Sequence, residues 1–349
     1  MKQWLKRNIG PVYVVILTAV LAIWLLNSDE LPEMIRTLGQ LEVKWVWIAF
    51  GCIMGYLLMR AGTLHFYLHS RGCAPKFYDT LMVSGIGQFY SAITPSASGG
   101  QPMQVLAMHH RGIPVSIATA AVSIKFVGFQ LAFLLTGGAL WATHVHLVSD
   151  QLGPVRWLVV LGYLVNSLLI FAVLMAMVNR SIIDRLVDWA IRMGAKFHLI
   201  RDQEKARGKA EHLLDEYRQS LLTLKNRPMD AVVIFLMSLA QVLLLMVVVV
   251  CLYHAFRLSG VDDLSLLTLQ FLLFITAAFV PLPGAAGAQE GGFFLFFRDL
   301  IPQAQIVTLM FCWRFFTYYL LLIVGLIAVI SDAVIRKVRR WRDGGDPND

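Results

Sequence analysis

Charge is what this sequence has little of. Only 15% of its 349 residues are Asp, Glu, Lys or Arg, while 58% are hydrophobic. So few charges cannot cover so much apolar surface in water, which excludes a soluble globular domain and leaves an all-α polytopic membrane protein. The mean hydropathy of +0.66 agrees. Cysteine is scarce as well: Cys52, Cys251 and Cys312 lie within apolar runs and Cys73 stands alone in a loop. None has metal-ligand spacing, and no disulfide framework is implied. The sequence has no G-x-x-x-x-G-K-[ST], which argues against an ATP-driven pump within this chain, and no H-E-x-x-H. No Ser/His/Asp arrangement is visible, so no catalytic residue, metal or cofactor is assigned. His109-His110 and His144-x-His146 lack further partners and read as interfacial histidines.

Acid is in deficit, 22 Asp and Glu against 30 Lys and Arg, for a net charge of +8. The positives sit at the ends of apolar runs, where the positive-inside rule puts them, so no nucleic-acid partner is expected. Lys2, Lys6 and Arg7 precede a run over 11–26 that resembles a secretory signal but has no small-x-small cleavage site; it reads as an uncleaved first span. Further full spans are read at 45–59, 115–141, 157–178, 229–253 and 306–330. Residues 179–228 mix basic and acidic side chains with apolar positions at helical spacing, an amphipathic cytoplasmic insertion or a small soluble hairpin.

Proline is also sparse, which makes its placement informative. One apolar run, 264–280, stops at Pro281 and Pro283 where a spanning helix should continue; Gly284, Gly287, Gln289 and Glu290 follow before the run 293–297. A weaker twin breaks at Pro95 and passes Ser96, Ser98, Gly99 and Gly100 to Gln101. In hydrocarbon, such breaks are tolerated only against protein or a wet cavity, and they point to a transporter-type site. Lys125, alone among charges in its span, follows Gln101 by 24 residues; Arg314, alone in its span, follows Gln289 by 25. The chain therefore reads as two repeats, 1–150 and 151–349, with six full spans and two broken or re-entrant helix pairs, about eight membrane segments.

With the N-terminus inside, every strongly basic segment falls on one side, including a loop read over 60–78, the turn at 109–111, the insertion and the tail. Each repeat then has an odd number of crossings. The repeats are inverted, their breaks enter from opposite faces, and both termini are cytoplasmic. A mid-span cation costs roughly 2.5–3.5 kcal/mol on insertion scales, so Lys125 and Arg314 must face the interior and find partners. Glu290, the one acid in a broken stretch, is the candidate counterion for one of them. A cavity of Lys125, Arg314, Gln101, Gln289, Glu290, Ser96, Ser98 and free backbone N–H groups suits a lipid phosphate. The alternative is a structural ion pair that only locks the bundle.

Thr94-Pro-Ser-Ala-Ser-Gly-Gly-Gln101 and Val280-Pro-Leu-Pro-Gly-Ala-Ala-Gly-Ala-Gln-Glu-Gly-Gly292 resemble the two signature stretches of the lysylphosphatidylglycerol synthase transmembrane-region family, the flippase-like membrane domain of the multiple peptide resistance factor. The resemblance implies a cell-membrane flippase for a phospholipid such as lysylphosphatidylglycerol, or for a lipid-linked substrate, tied to resistance to cationic antimicrobial peptides. It also implies the alternative of a phosphatidylglycerol lysyltransferase or a membrane subunit of one. The chain ends shortly after its last span, so the synthase domain is expected elsewhere. Membrane phospholipids are the expected partners; a separately encoded soluble synthase and a second copy of the chain stay open. A third reading is a non-transporting assembly factor for envelope glycolipid synthesis.

Overall fold

The computed structural model describes residues 31–145, 156–178, 227–278 and 280–342, with the single positions 153 and 185. The first expected span and nearly all of the insertion lie outside them. Every regular element among the described residues is helical: α1 (Leu31–Leu38), α2 (Val43–Ser70), α3 (Phe77–Ile93), α4 (Gly100–His109), α5 (Val115–Thr143), α6 (Arg156–Val178), α7 (Pro228–Met246), α8 (Val248–Ala255), α9 (Asp263–Ala277), α10 (Ala288–Phe297), α11 (Gln303–Arg314) and α12 (Leu320–Arg342). Among the described residues four helical runs are long and apolar enough to cross a membrane: Val43–Ser70, Val115–Thr143, Pro228–Ala255 and Gln303–Val338. This is an α-helical polytopic membrane protein.

Local chemistry sets the boundaries. Pro114 and Pro302 stand just before α5 and α11, and Pro228 opens α7, positions where a missing N–H costs nothing. Asp262 caps α9, its carboxylate accepting from Ser265 N at 2.8 Å and from Ser265 Oγ at 2.7 Å. The helix α2 runs to Ser70, past the expected end at Met59, so much of the basic loop read over 60–78 is helix. Its 28 residues extend about 42 Å, more than the hydrocarbon thickness of about 30 Å. The polar residues that suggested an end face inward: Arg60 NH1 donates to Tyr56 Oη at 3.3 Å, and Tyr56 Oη donates to Gln88 Oε1 at 3.4 Å.

Two clusters of buried side chains fill the bundle. The larger centres on Trp313, Phe293, Phe297, Phe271 and Tyr253, and the smaller on Tyr67, Leu68, Met82 and Met108. Outward, α6 exposes Trp157, Leu158, Leu161, Leu164, Leu168 and Phe171. In water that stripe would be an aggregation surface, whereas in a bilayer it is a lipid face.

The polar ends sort into two groups. At one, Arg111 reaches Asp332 at 2.6 Å and Asp79 at 3.3 Å, and Arg336 meets Asp332 at 3.0 Å. At the other, Glu42 N donates to Ala255 O at 2.9 Å, Trp45 stacks on His254, and His144 lies 4.0 Å from Asp262. The pair α3–α4 starts and finishes at the first end. The pair α9–α10 starts at the second.

Candidate functional site

Both broken stretches fold as helix, tight turn, helix. The first turn is a 3-10 segment, Pro95–Ala97, with Ser96 and Ala97 at φ 50° and 54°. Thr94 Oγ1 closes it, accepting from Gly99 N at 2.9 Å while donating to Tyr90 O. The α3–α4 hairpin then packs so tightly that a Cβ on Gly100 would collide with Ser91 Oγ and sit 2.6 Å from Gly87 O. The second turn is Pro283–Ala285, with Gly284 at φ 62° and Gly287 at φ 84°. The left-handed region suits glycine, which lacks the Cβ that would clash there. The two turns touch each other, and Tyr318 Oη bridges them by donating to Ala92 O at 3.1 Å.

Arg314 and Glu290 form the polar centre of the second break. Arg314 Nε donates to Glu290 Oε1 at 2.6 Å, and Glu290 Oε2 accepts from Gly287 N at 2.6 Å. One carboxylate thus caps α10 and neutralises the guanidinium. Arg314 NH2 donates to Gly284 O at 3.1 Å, and the guanidinium carbon stands 5.2 Å from the Tyr318 ring centroid. Immediately after Arg314 the helix widens into a π turn, Phe315–Tyr319, of a kind concentrated at functional sites.

Lys125 has a different setting. It is 6% exposed, and its Nζ donates to Gln104 Oε1 at 2.7 Å. Gln104 lies against Gly87 of α3, with its Nε2 lacking a partner among the described residues. Gln101, Ser96, Ser98 and Pro95 are exposed, and Ser98 Oγ is committed to Pro95 O at 2.9 Å. Gln289 is buried with its Oε1 unpaired. The expected single cluster is therefore two separate hydrogen-bonded pairs, Lys125–Gln104 and Arg314–Glu290. Sequence reasoning missed Gln104, whose only signal was its place one helical turn beyond Gly100, on the hairpin's inner face.

Between α3, α4 and α12 a small, open cleft of about 40 Å³ lies toward the end that holds Arg111. Ile86, Met103, Leu106 and Val329 form its apolar wall, with His110 and Arg336 among its polar lining. Among the described residues no group of three His, Cys, Asp or Glu could hold a metal ion.

Comparison with known proteins adds two findings. The family described as the lysylphosphatidylglycerol synthase TM region matches residues 12–325. A UPF0104 membrane protein of Archaeoglobus fulgidus is 23% identical over 291 residues, covering 81% of this chain and 84% of that protein.

Proposed function

This chain belongs to the lysylphosphatidylglycerol synthase transmembrane-region family, and on that premise we propose that it is a flippase, moving phospholipid headgroups across the cell membrane between its two broken helix pairs. The observation that supports this most is the meeting of two Pro/Gly turns from hairpins that open to different ends, with a buried cation packed on each hairpin. The two halves, 1–150 and 151–349, act as inverted repeats around this contact, an arrangement suited to alternating access. The basic end, with Arg111 and Arg336, faces the cytoplasm, and both termini lie there. The lipid enters by the cleft walled by Ile86 and Leu106, its acyl chains on the apolar side and its phosphate toward the cations. Lys125 and Arg314 are the donors for that phosphate. Gln289, with its unpaired oxygen, is a candidate for a headgroup amine or hydroxyl. The substrate class is anionic phospholipid, or its lysylated form.

Reconstitution tests it. Purified protein goes into vesicles with fluorescent phosphatidylglycerol or lysylphosphatidylglycerol, and the pool protected from an external quencher is followed. Faster loss of that pool with wild type, lost in Lys125→Ala and Arg314→Ala at equal protein level, is the expected result. No acceleration with either lipid sinks the reading. Lysyl transfer from lysyl-tRNA by the purified chain would favour the lysyltransferase alternative instead.

A further inference from the structure

The two buried cations differ in a way that bears on what drives movement. Arg314 has a permanent counterion in Glu290 at 2.6 Å. No carboxylate among the described residues pairs with Lys125, whose single hydrogen bond goes to the neutral amide of Gln104. The groups around Lys125 can be named helix by helix. From α2 comes Arg60, a like charge. From α4 comes Gln104. From α7, Ile234 and Ser238 pack against Gly128, one turn beyond Lys125, and Asp230 lies one turn nearer the start of α7. The helices α6 and α9 reach α5 further along, where Asn166 meets Gln130 and where Tyr163 and Phe271 meet Gly137. His144 and Asp262 stand at the far end of α5.

Arginine keeps its proton under all ordinary conditions, whereas a buried lysine exchanges it readily. An unpaired ammonium buried within a span is costly. That cost vanishes in two ways: the proton leaves, or an anion arrives. The two events are therefore linked, and the linkage is reciprocal: anion binding favours protonation, and deprotonation favours anion release.

Resting on the flippase reading above, we propose that Lys125 takes up one proton when a phosphate diester binds and gives it up when the diester leaves, so that the chain is a proton–headgroup symporter. The lone pair of Nζ forms an N–H bond with a proton from water on the side of loading, and the phosphate oxygen pairs with the resulting ammonium. On the other side that N–H bond breaks, the proton returns to water and the headgroup departs. For a singly anionic headgroup the loaded step carries no net charge, so the pH difference drives it and the membrane voltage does not.

The test is calorimetric titration of the full chain in detergent with dihexanoyl phosphatidylglycerol and, separately, with dimethyl phosphate, a free diester without acyl chains. Titrations run between about pH 6 and 9, in buffers of different ionisation enthalpy. The expected result is uptake of one proton per lipid, with affinity falling about tenfold per pH unit on the alkaline side. Lys125→Arg, which keeps the charge and the donor, should bind lipid with no pH dependence and no proton uptake; a thermal melt checks that it is folded. Weak binding of dimethyl phosphate supports a lipid as the source of the diester. Dimethyl phosphate matching the lipid overturns that assignment. Lipid binding that takes up no proton, or uptake that survives in Lys125→Arg, overturns the coupling. Failure of lipid movement in vesicles alongside intact proton-linked binding would sink the flippase reading and leave the linkage standing as a binding property.

Discussion

At residue scale the informative contrast is between a cation with a carboxylate and one without. Glu290 serves Arg314 and the N-terminus of α10 together, so its loss leaves a buried guanidinium and an uncapped helix. Removing one partner of a buried pair costs about 3–5 kcal/mol, much of it the price of the charge left behind. Glu290→Ala should therefore lower the melting temperature in detergent more than the double variant Glu290→Ala with Arg314→Met. A single variant no worse than the double would show that the pair is not coupled. Glu290 was legible as a counterion because it is the one acid in the broken stretch, although the sequence left open whether Lys125 or Arg314 was its partner. Gln104 was not, because Gln101 and Gln104 on a ten-residue helix carry too little periodicity to say which face is buried. Gln101 was named in its place for the same reason: it lies nearer the break but points outward.

At the scale of elements the bundle depends on close helix crossings, and the α3–α12 crossing is one of them. A Cβ on Gly325 would stand 2.8 Å from Phe89 N and 2.9 Å from Gly85 O, both backbone atoms that cannot step aside. Small residues of this kind let membrane helices approach where no hydrophobic force pulls them together. Gly325→Ala should cost about 1–3 kcal/mol by overpacking. Gly51→Ala, with nothing within 4 Å of the new methyl, should be neutral or gain up to about 1 kcal/mol through helix propensity. Thermal melts of the two variants read the difference directly. The Asp262 cap adds a pH test. The Ser265 hydroxyl bond holds the Asp262 carboxyl below its usual value. A depressed value in the folded state means stability that is present above the unfolded value and lost as pH falls through the folded one. Acidifying below about pH 4 should therefore loosen the start of α9 in wild type, seen as faster amide exchange at Ser265. Asp262→Asn should flatten that pH dependence. Element lengths were only partly legible. The end of α2 was read eleven residues early because Arg60 and His65 look like a span terminus. Helices whose polar side chains turn inward continue through such residues, and sequence alone does not say which way they turn.

For the whole molecule the order of spans and breaks was legible from proline, glycine and lone charges, since hydrocarbon punishes each of them in a readable way. Charge also sorted the polar segments, with 60–78, 109–111 and the tail read on one side; what the sequence could not show was which side chains meet there. The structure brings Asp79, Arg111, Asp332 and Arg336 to one end, and Glu42, His144, His254 and Asp262 to the other. The first end is the more basic: Arg71 and Lys76 join it at the turn between α2 and α3, and Lys337 on α12. On the proposed orientation, which follows the positive-inside rule, that end faces the inside. Val43 is 64% exposed near the acidic end and Val338 is 55% exposed near the basic end, which makes them fair reporters. In a background without the four native cysteines, Val43→Cys should react with an impermeant maleimide on intact cells. Val338→Cys should react only after the membrane is opened. The reverse pattern would invert the topology, placing the cleft walled by Ile86 and Leu106 on the outer face and reversing the side from which Lys125 loads its proton. Labelling of both sites on intact cells would mean that the ends do not lie across a bilayer from one another, and alternating access between the two broken pairs would lose its geometric basis.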